Sequence, residues 1–190
     1  MDGTKQNRFT KNILKMIYYK KLELDHTLVA KKSLAYISAN KHKIKTFWTN
    51  VNFEEFCIHV PEIKTMFAPL NITPKRVSLI TAVTQDRVDP GIHRDHTSVP
   101  VRINVPILNC EHSQTKFWRT TAEPIVEFIP NTNIPYFYLK ESDCELADTL
   151  VLDKPAVLRV SEPHSVHVGE KTPRLALTIE FNENIEYLLD

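Results

Sequence analysis

Glycine is nearly missing from this chain: three residues in 190, against twelve prolines. A loop that cradles phosphate needs several glycines close together so that the backbone can approach the anion, and no such loop is present. Strands joined by proline-containing turns fit this balance better than a glycine-rich nucleotide-binding fold. Cysteine is scarce too. Cys57, Cys110 and Cys144 are odd in number and far apart, which argues against a disulfide framework and against a cysteine-built zinc site, and fits a reducing compartment. No apolar run approaches the length of a membrane span, and residues 1 to 25 carry charge throughout without an apolar signal-like core. The expectation is a soluble, unexported, cytoplasmic protein with no membrane partner.

What is present is ordinary for a globular chain: 42% hydrophobic and 25% charged residues, enough for one domain over residues 1–190. The net charge of +1 conceals an asymmetry. Residues 1–50 hold eleven Lys and Arg against three acids, and the other 140 hold thirteen against twenty. Residues 1–45 therefore read as a basic N-terminal extension. A lysine-rich solvated surface explains it, and a nucleic-acid or acidic partner is the weaker alternative.

Hydrophobic periodicity then gives the elements. Ile13 to Leu22 has helix-like spacing, while Thr27–Ala30 and Ser33–Ile37 read as short strands. Phe47 to Val51 leads into a helical turn at Phe53–Phe56, and Glu62 to Phe67 reads as a short amphipathic helix with Ile63 and Phe67 inward. A period of two follows along Arg76 to Thr84. Val101, Ile103, Val105 and Ile107 then alternate with Arg102 and Asn104, so one face is apolar and the other carries hydrogen-bonding groups. Thr115–Thr120, Ile125–Ile129, Tyr136–Leu139, Thr149–Leu152, Ala156–Val160, Ser165–Val168 and Leu175–Phe181 complete about eight to ten short strands, the pattern of a barrel or jelly roll.

Two residues apart on an extended strand, His93 and Asp95 project from the same face and can share one ion. His96 points away from them. A third ligand comes from the tail of the chain, where residues 164–168 and 174–181 read as two strands joined by a loop from Gly169 to Pro173. Pairing Val168 with Arg174 sets His164 opposite Thr178, and the even-numbered residues share a polar face. His164 is then the preferred third ligand. A slip of one residue would select His167 instead. Two imidazoles and one carboxylate form the facial arrangement that suits non-haem Fe(II). Arg174, on the same polar face, offers a rigid fork for a carboxylate, or else an ion pair with Glu180 or Glu127. Arg102 could serve a second carboxylate.

In this order the motifs Ile92-His93-Arg94-Asp95, Pro100 to Ile107, Pro163-His164-Ser165-Val166 and Arg174-Leu175-Ala176-Leu177 resemble those of the 2-oxoglutarate and Fe(II)-dependent oxygenases. The closest likeness is to the aspartyl/asparaginyl β-hydroxylase-like branch and to the small prolyl-hydroxylase-like proteins of phages. For a viral chain the compartment would be the host cytoplasm. The resemblance implies a mainly β fold, with a double-stranded β-helix (jelly-roll, cupin-like) core over about residues 60–182 and a few flanking helices. It implies iron ligation by His93, Asp95 and His164, with Arg174 on the distal carboxylate of 2-oxoglutarate. Arg102 and Asn104 resemble the R-x-H pair that assists the cosubstrate, with Asn in place of His. The implied activity uses Fe(II), 2-oxoglutarate and O2. It hydroxylates a peptidyl or protein side chain of Pro, Asp or Asn type and releases succinate and CO2. A free amino acid, small molecule or nucleobase is the alternative substrate, and a non-catalytic cupin-like metal-binding protein the alternative function. The oligomeric state is left open.

Overall fold

The computed structural model describes residues 16–44, 47–83, 91–95, 99–128 and 133–190. Among these, twelve strands and three α-helices follow one another in the order β1 (Tyr19–Lys21), α1 (Thr27–Ala39), β2 (Phe47–Asn50), α2 (Phe53–His59), α3 (Glu62–Thr65), β3 (Pro74–Ala82), β4 (Ile92–Asp95), β5 (Val101–Leu108), β6 (Gln114–Arg119), β7 (Ile125–Phe128), β8 (Pro135–Leu139), β9 (Glu145–Leu150), β10 (Ala156–Arg159), β11 (His164–His167) and β12 (Arg174–Phe181). They form two six-stranded sheets, β1-β10-β5-β12-β3-β2 and β7-β8-β4-β11-β6-β9. Every pairing within them is antiparallel. Consecutive strands repeatedly change sheet, as in a jelly roll.

The first sheet is buried on both faces, which is why β5 and β12 are closed to solvent along nearly their whole length. On its outer side Val77, Leu79, Ile103, Val105, Leu175, Leu177 and Ile179 join Val29, Tyr36, Ile37, Phe56, Ile63 and Phe67 in the larger core. Ile63 and Phe67 are both fully buried, as the spacing predicts. On the inner side Ala156, Leu158 and Ala176 meet Phe117 and Leu150 of the second sheet in a smaller core. Arg174, Ala176, Thr178 and Glu180 alternate with the outward Leu175, Leu177, Ile179 and Phe181. These four even-numbered residues therefore face the second sheet.

Three expectations are corrected. Thr27–Ala30 and Ser33–Ile37 are not strands but parts of the single helix α1. Its buried residues Val29, Ser33, Tyr36 and Ile37 recur at helical spacing, and the helix packs on β5, α2 and α3. Short apolar runs fit either period, and the packing surface decided between them. The helix expected over Ile13–Leu22 is replaced at its described end by β1, whose Tyr19 pairs with Leu158 at the edge of the first sheet. Ile13 itself lies outside the described residues, as do His96, Thr84 and Ile129. Finally, the tail is not a hairpin. β11 pairs with β4 and β6, whereas β12 pairs with β3 and β5 in the opposite sheet. The connecting segment, residues 168–173, carries the chain between layers. Strand parity within β11 and within β12 survives this, because alternation is a property of each strand.

Candidate metal centre

β4 and β11 are neighbours, and their register sets His93 directly opposite His164. Parity along β4 adds Asp95 to the same face. The three side chains form a group whose ligand atoms lie within 4.8 Å of one another. His93 Nε2 is 3.7 Å from Asp95 Oδ1, His164 Nε2 is 4.0 Å from the same oxygen, and the two imidazole centroids are 4.3 Å apart.

Each imidazole has its other nitrogen tied down locally. His93 Nδ1 lies 3.0 Å from the Gly91 carbonyl oxygen, and His164 Nδ1 lies 2.9 Å from that of Glu162. A carbonyl only accepts, so each Nδ1 is the donor, and each Nε2 keeps its lone pair for the common centre. Burial and the facing His164 push His93 down to about 4, against the opposing pull of Asp95 and the Gly91 carbonyl. It is neutral at physiological pH and so able to ligate. Tyr136, opposite Asp95 in the register, sets its ring edge-on to His93 with centroids 5.8 Å apart. The Phe117 ring flanks His164 at 6.4 Å. The donor set, two imidazoles and one carboxylate, fits a divalent iron.

Arg174 is 1% exposed, and its Nε and Nη1 are buried without a hydrogen-bond partner. Neither acid offered by the sequence takes it. Glu180 bonds Arg102 at 2.8 Å and also Arg76, while Glu127 accepts from the Tyr136 hydroxyl at 2.7 Å. Leaving a buried charge without a counter-ion costs roughly 3–5 kcal/mol, and none of the described residues supplies one. Asn104 is also buried, with its Oδ1 unpartnered. Arg102, 5% exposed, lies between two protein carboxylates: Glu180 on one side and Asp95, whose Oδ2 is 3.7 Å from Nη1, on the other.

The structure thus brings together His93, Asp95 and His164 on the second sheet and reaches them with Arg102 of the first, while Asn104 of β5 and Arg174 of β12 are buried at positions that share the parity of Arg102 and Glu180. His167 stands apart, on the other face of β11, where its Nε2 meets the Ser165 hydroxyl at 3.1 Å. Sequence reasoning did not single out Glu180, Tyr136 or Phe117 as parts of the site. The signal for Glu180 was its even position on β12. The other two become visible only through cross-strand register.

No family model matches the chain, and no curated protein matches it. Among solved structures it is similar to a Pseudomonas putida prolyl-4-hydroxylase, at 11% identity over 87% of this chain and 88% of that one, with a TM-score of 0.38. It is also similar to a non-haem monooxygenase, ThoJ, in its nickel complex, at 12% identity over 87% of this chain and 71% of that one, with a TM-score of 0.38.

Proposed function

We propose that this chain is a non-haem Fe(II) and 2-oxoglutarate-dependent dioxygenase, with His93, Asp95 and His164 as the metal ligands. The observation that carries the reading is Arg174: a buried guanidinium, unpaired among the described residues, faces the same interior as a metal-ligand triad. Charge bookkeeping favours a dianion. Arg102 and Arg76 offset Asp95 and Glu180, so a divalent ion and Arg174 together leave three positive charges for a dicarboxylate to reduce to one.

Iron held by the triad would couple oxidative decarboxylation of 2-oxoglutarate by O2, giving succinate and CO2, to hydroxylation of a substrate C–H bond. The chain's own part is orientation and exclusion. Arg174 grips the distal carboxylate through a rigid fork. The Gly91 and Glu162 carbonyls hold both imidazoles with Nε2 inward. The Tyr136 and Phe117 rings shield them from water. A peptidyl Pro, Asp or Asn side chain is the substrate class that the motif resemblance implies.

The test is succinate formation from 2-oxoglutarate with added Fe(II). The wild type turns over, with or without substrate, and His93→Ala and Arg174→Ala lower the rate at least a hundredfold, Arg174→Ala chiefly by weakening 2-oxoglutarate binding. A wild type that binds metal anaerobically yet neither binds 2-oxoglutarate nor forms succinate would be a metal-binding jelly roll without turnover, and the proposal would fall.

A further inference from the structure

Asp95 is the last residue of β4, and its two carboxylate oxygens have different surroundings. Oδ1 faces His93 Nε2 at 3.7 Å and His164 Nε2 at 4.0 Å. Oδ2 faces Arg102 Nη1 at 3.7 Å. The backbone N–H of Asp95 donates to Val160 O at 3.1 Å, which fixes where the residue sits but not how its carboxyl group turns. That rotation needs a partner for Oδ2, and the described residue in place for it comes from the opposite sheet.

Arg102 is itself held. Its Nη2 bonds Glu180 Oε1 at 2.8 Å, its guanidinium lies 5.6 Å from the centre of the Trp48 ring, and Glu180 is also bonded by Arg76. Both Arg102 and Glu180 are more than nine-tenths buried. A fork fixed at one tine by a buried carboxylate presents its other tine in one direction. We propose that Glu180 and Arg102 are positioning residues for the metal centre: they clamp Asp95 Oδ2, so that Asp95 offers the ion one oxygen, Oδ1. This rests on the metal site of the proposed function, and it gives Arg102 a task other than holding a cosubstrate carboxylate. Arg174 then carries that load alone.

The relay spans the interior, joining β5 and β12 of one sheet to β4 of the other. Its geometry, not only its charge, is what it contributes, because a second carboxylate oxygen left free would swing toward the ion and close one of the positions that cosubstrate and oxygen need.

The experiment uses the full chain, with Co(II) as a spectroscopic probe under anaerobic conditions. Arg102→Lys keeps the charge and removes the fork; Glu180→Gln keeps the shape and removes the tether. Both variants are expected to bind Co(II) roughly tenfold more weakly than the wild type. Both should also shift the visible d–d bands, a change in coordination that a merely destabilised fold does not produce, while the 2-oxoglutarate affinity of the metal-loaded protein stays within about twofold of wild type. Should Arg102→Lys fail to fold, Glu180→Gln decides by the same readouts. The proposal is overturned if wild-type Co(II) affinity and spectrum persist in the folded variants, and equally if 2-oxoglutarate affinity is what collapses. A wild type that takes up no Co(II) refutes the proposed function itself and leaves the relay nothing to position.

Discussion

His167 lies on the outer face of β11, where Ser165 Oγ receives the Trp118 indole N–H at 2.9 Å and meets His167 Nε2 at 3.1 Å. Burial pushes this imidazole below its ordinary range, and Lys116 adds to the effect. The fold therefore favours neutral His167. That contribution to stability is complete above the unfolded value near 6.5 and is lost as pH falls through the depressed folded value. Chemical denaturation of the metal-free protein between pH 7 and 5 should show a falling midpoint, and His167→Gln should reduce that slope, leaving the part that depressed His93 supplies. An unchanged slope in the variant would remove His167 from the account. At this scale the sequence was informative. Parity alone put His93 and Asp95 on one face and separated His164 from His167, because side-chain alternation is local. It offered Glu180 or Glu127 to Arg174 and named no protein partner for Arg102, since nothing in the spacing says that Glu180 turns to Arg102.

Among the elements, the crossing from β11 to β12 is sensitive to a small change at Gly169. A Cβ added to Gly169 would lie 1.6 Å from the His112 carbonyl oxygen and 2.8 Å from its carbon. That is a backbone obstacle, and no rotamer relieves it. Gly169→Ala should cost roughly 1–3 kcal/mol through the forced shift, read as a melting temperature lower by several degrees. A variant that melts with the wild type would show that the turn yields freely. The same crossing explains why the tail reads as a hairpin from its residues: a short polar loop between two alternating runs looks alike whether the chain turns back in its own sheet or steps to the other one. For α1 the ambiguity is of another kind. Val29, Ser33, Tyr36 and Ile37 satisfy a helical stripe, yet the Leu28-Val29-Ala30 run also suits a strand, and only the surface offered by β5 resolves it.

In the molecule as a whole the two sheets meet along an interior that is apolar around Phe117, Leu150, Leu158 and Ala176 and polar around the triad and the buried arginines. Because the proposed ligands come from two strands, β4 and β11, metal binding and folding stability would be parts of one equilibrium. Adding Mn(II) at a hundredfold excess over its Kd should raise the unfolding free energy by about 2.7 kcal/mol, and chelation should reverse the gain. His164→Ala should abolish this increment, and a melting curve indifferent to Mn(II) would argue that the triad binds no such ion.

The sequence by itself determined the periods: which residues of each strand share a face, and hence that His93 goes with Asp95, that Arg102 goes with Asn104, and that Arg174 shares its side of β12 with Glu180. These follow from the two-residue repeat of an extended backbone, which needs no knowledge of neighbours. Tertiary structure decided which strands lie beside one another. It set β11 and β12 in opposite sheets, brought Arg102 of β5 to Asp95 of β4, and left Arg174 buried without a counter-ion among the described residues. Pairing between distant segments depends on complementarity over the whole interior, and alternation along one strand carries no record of it.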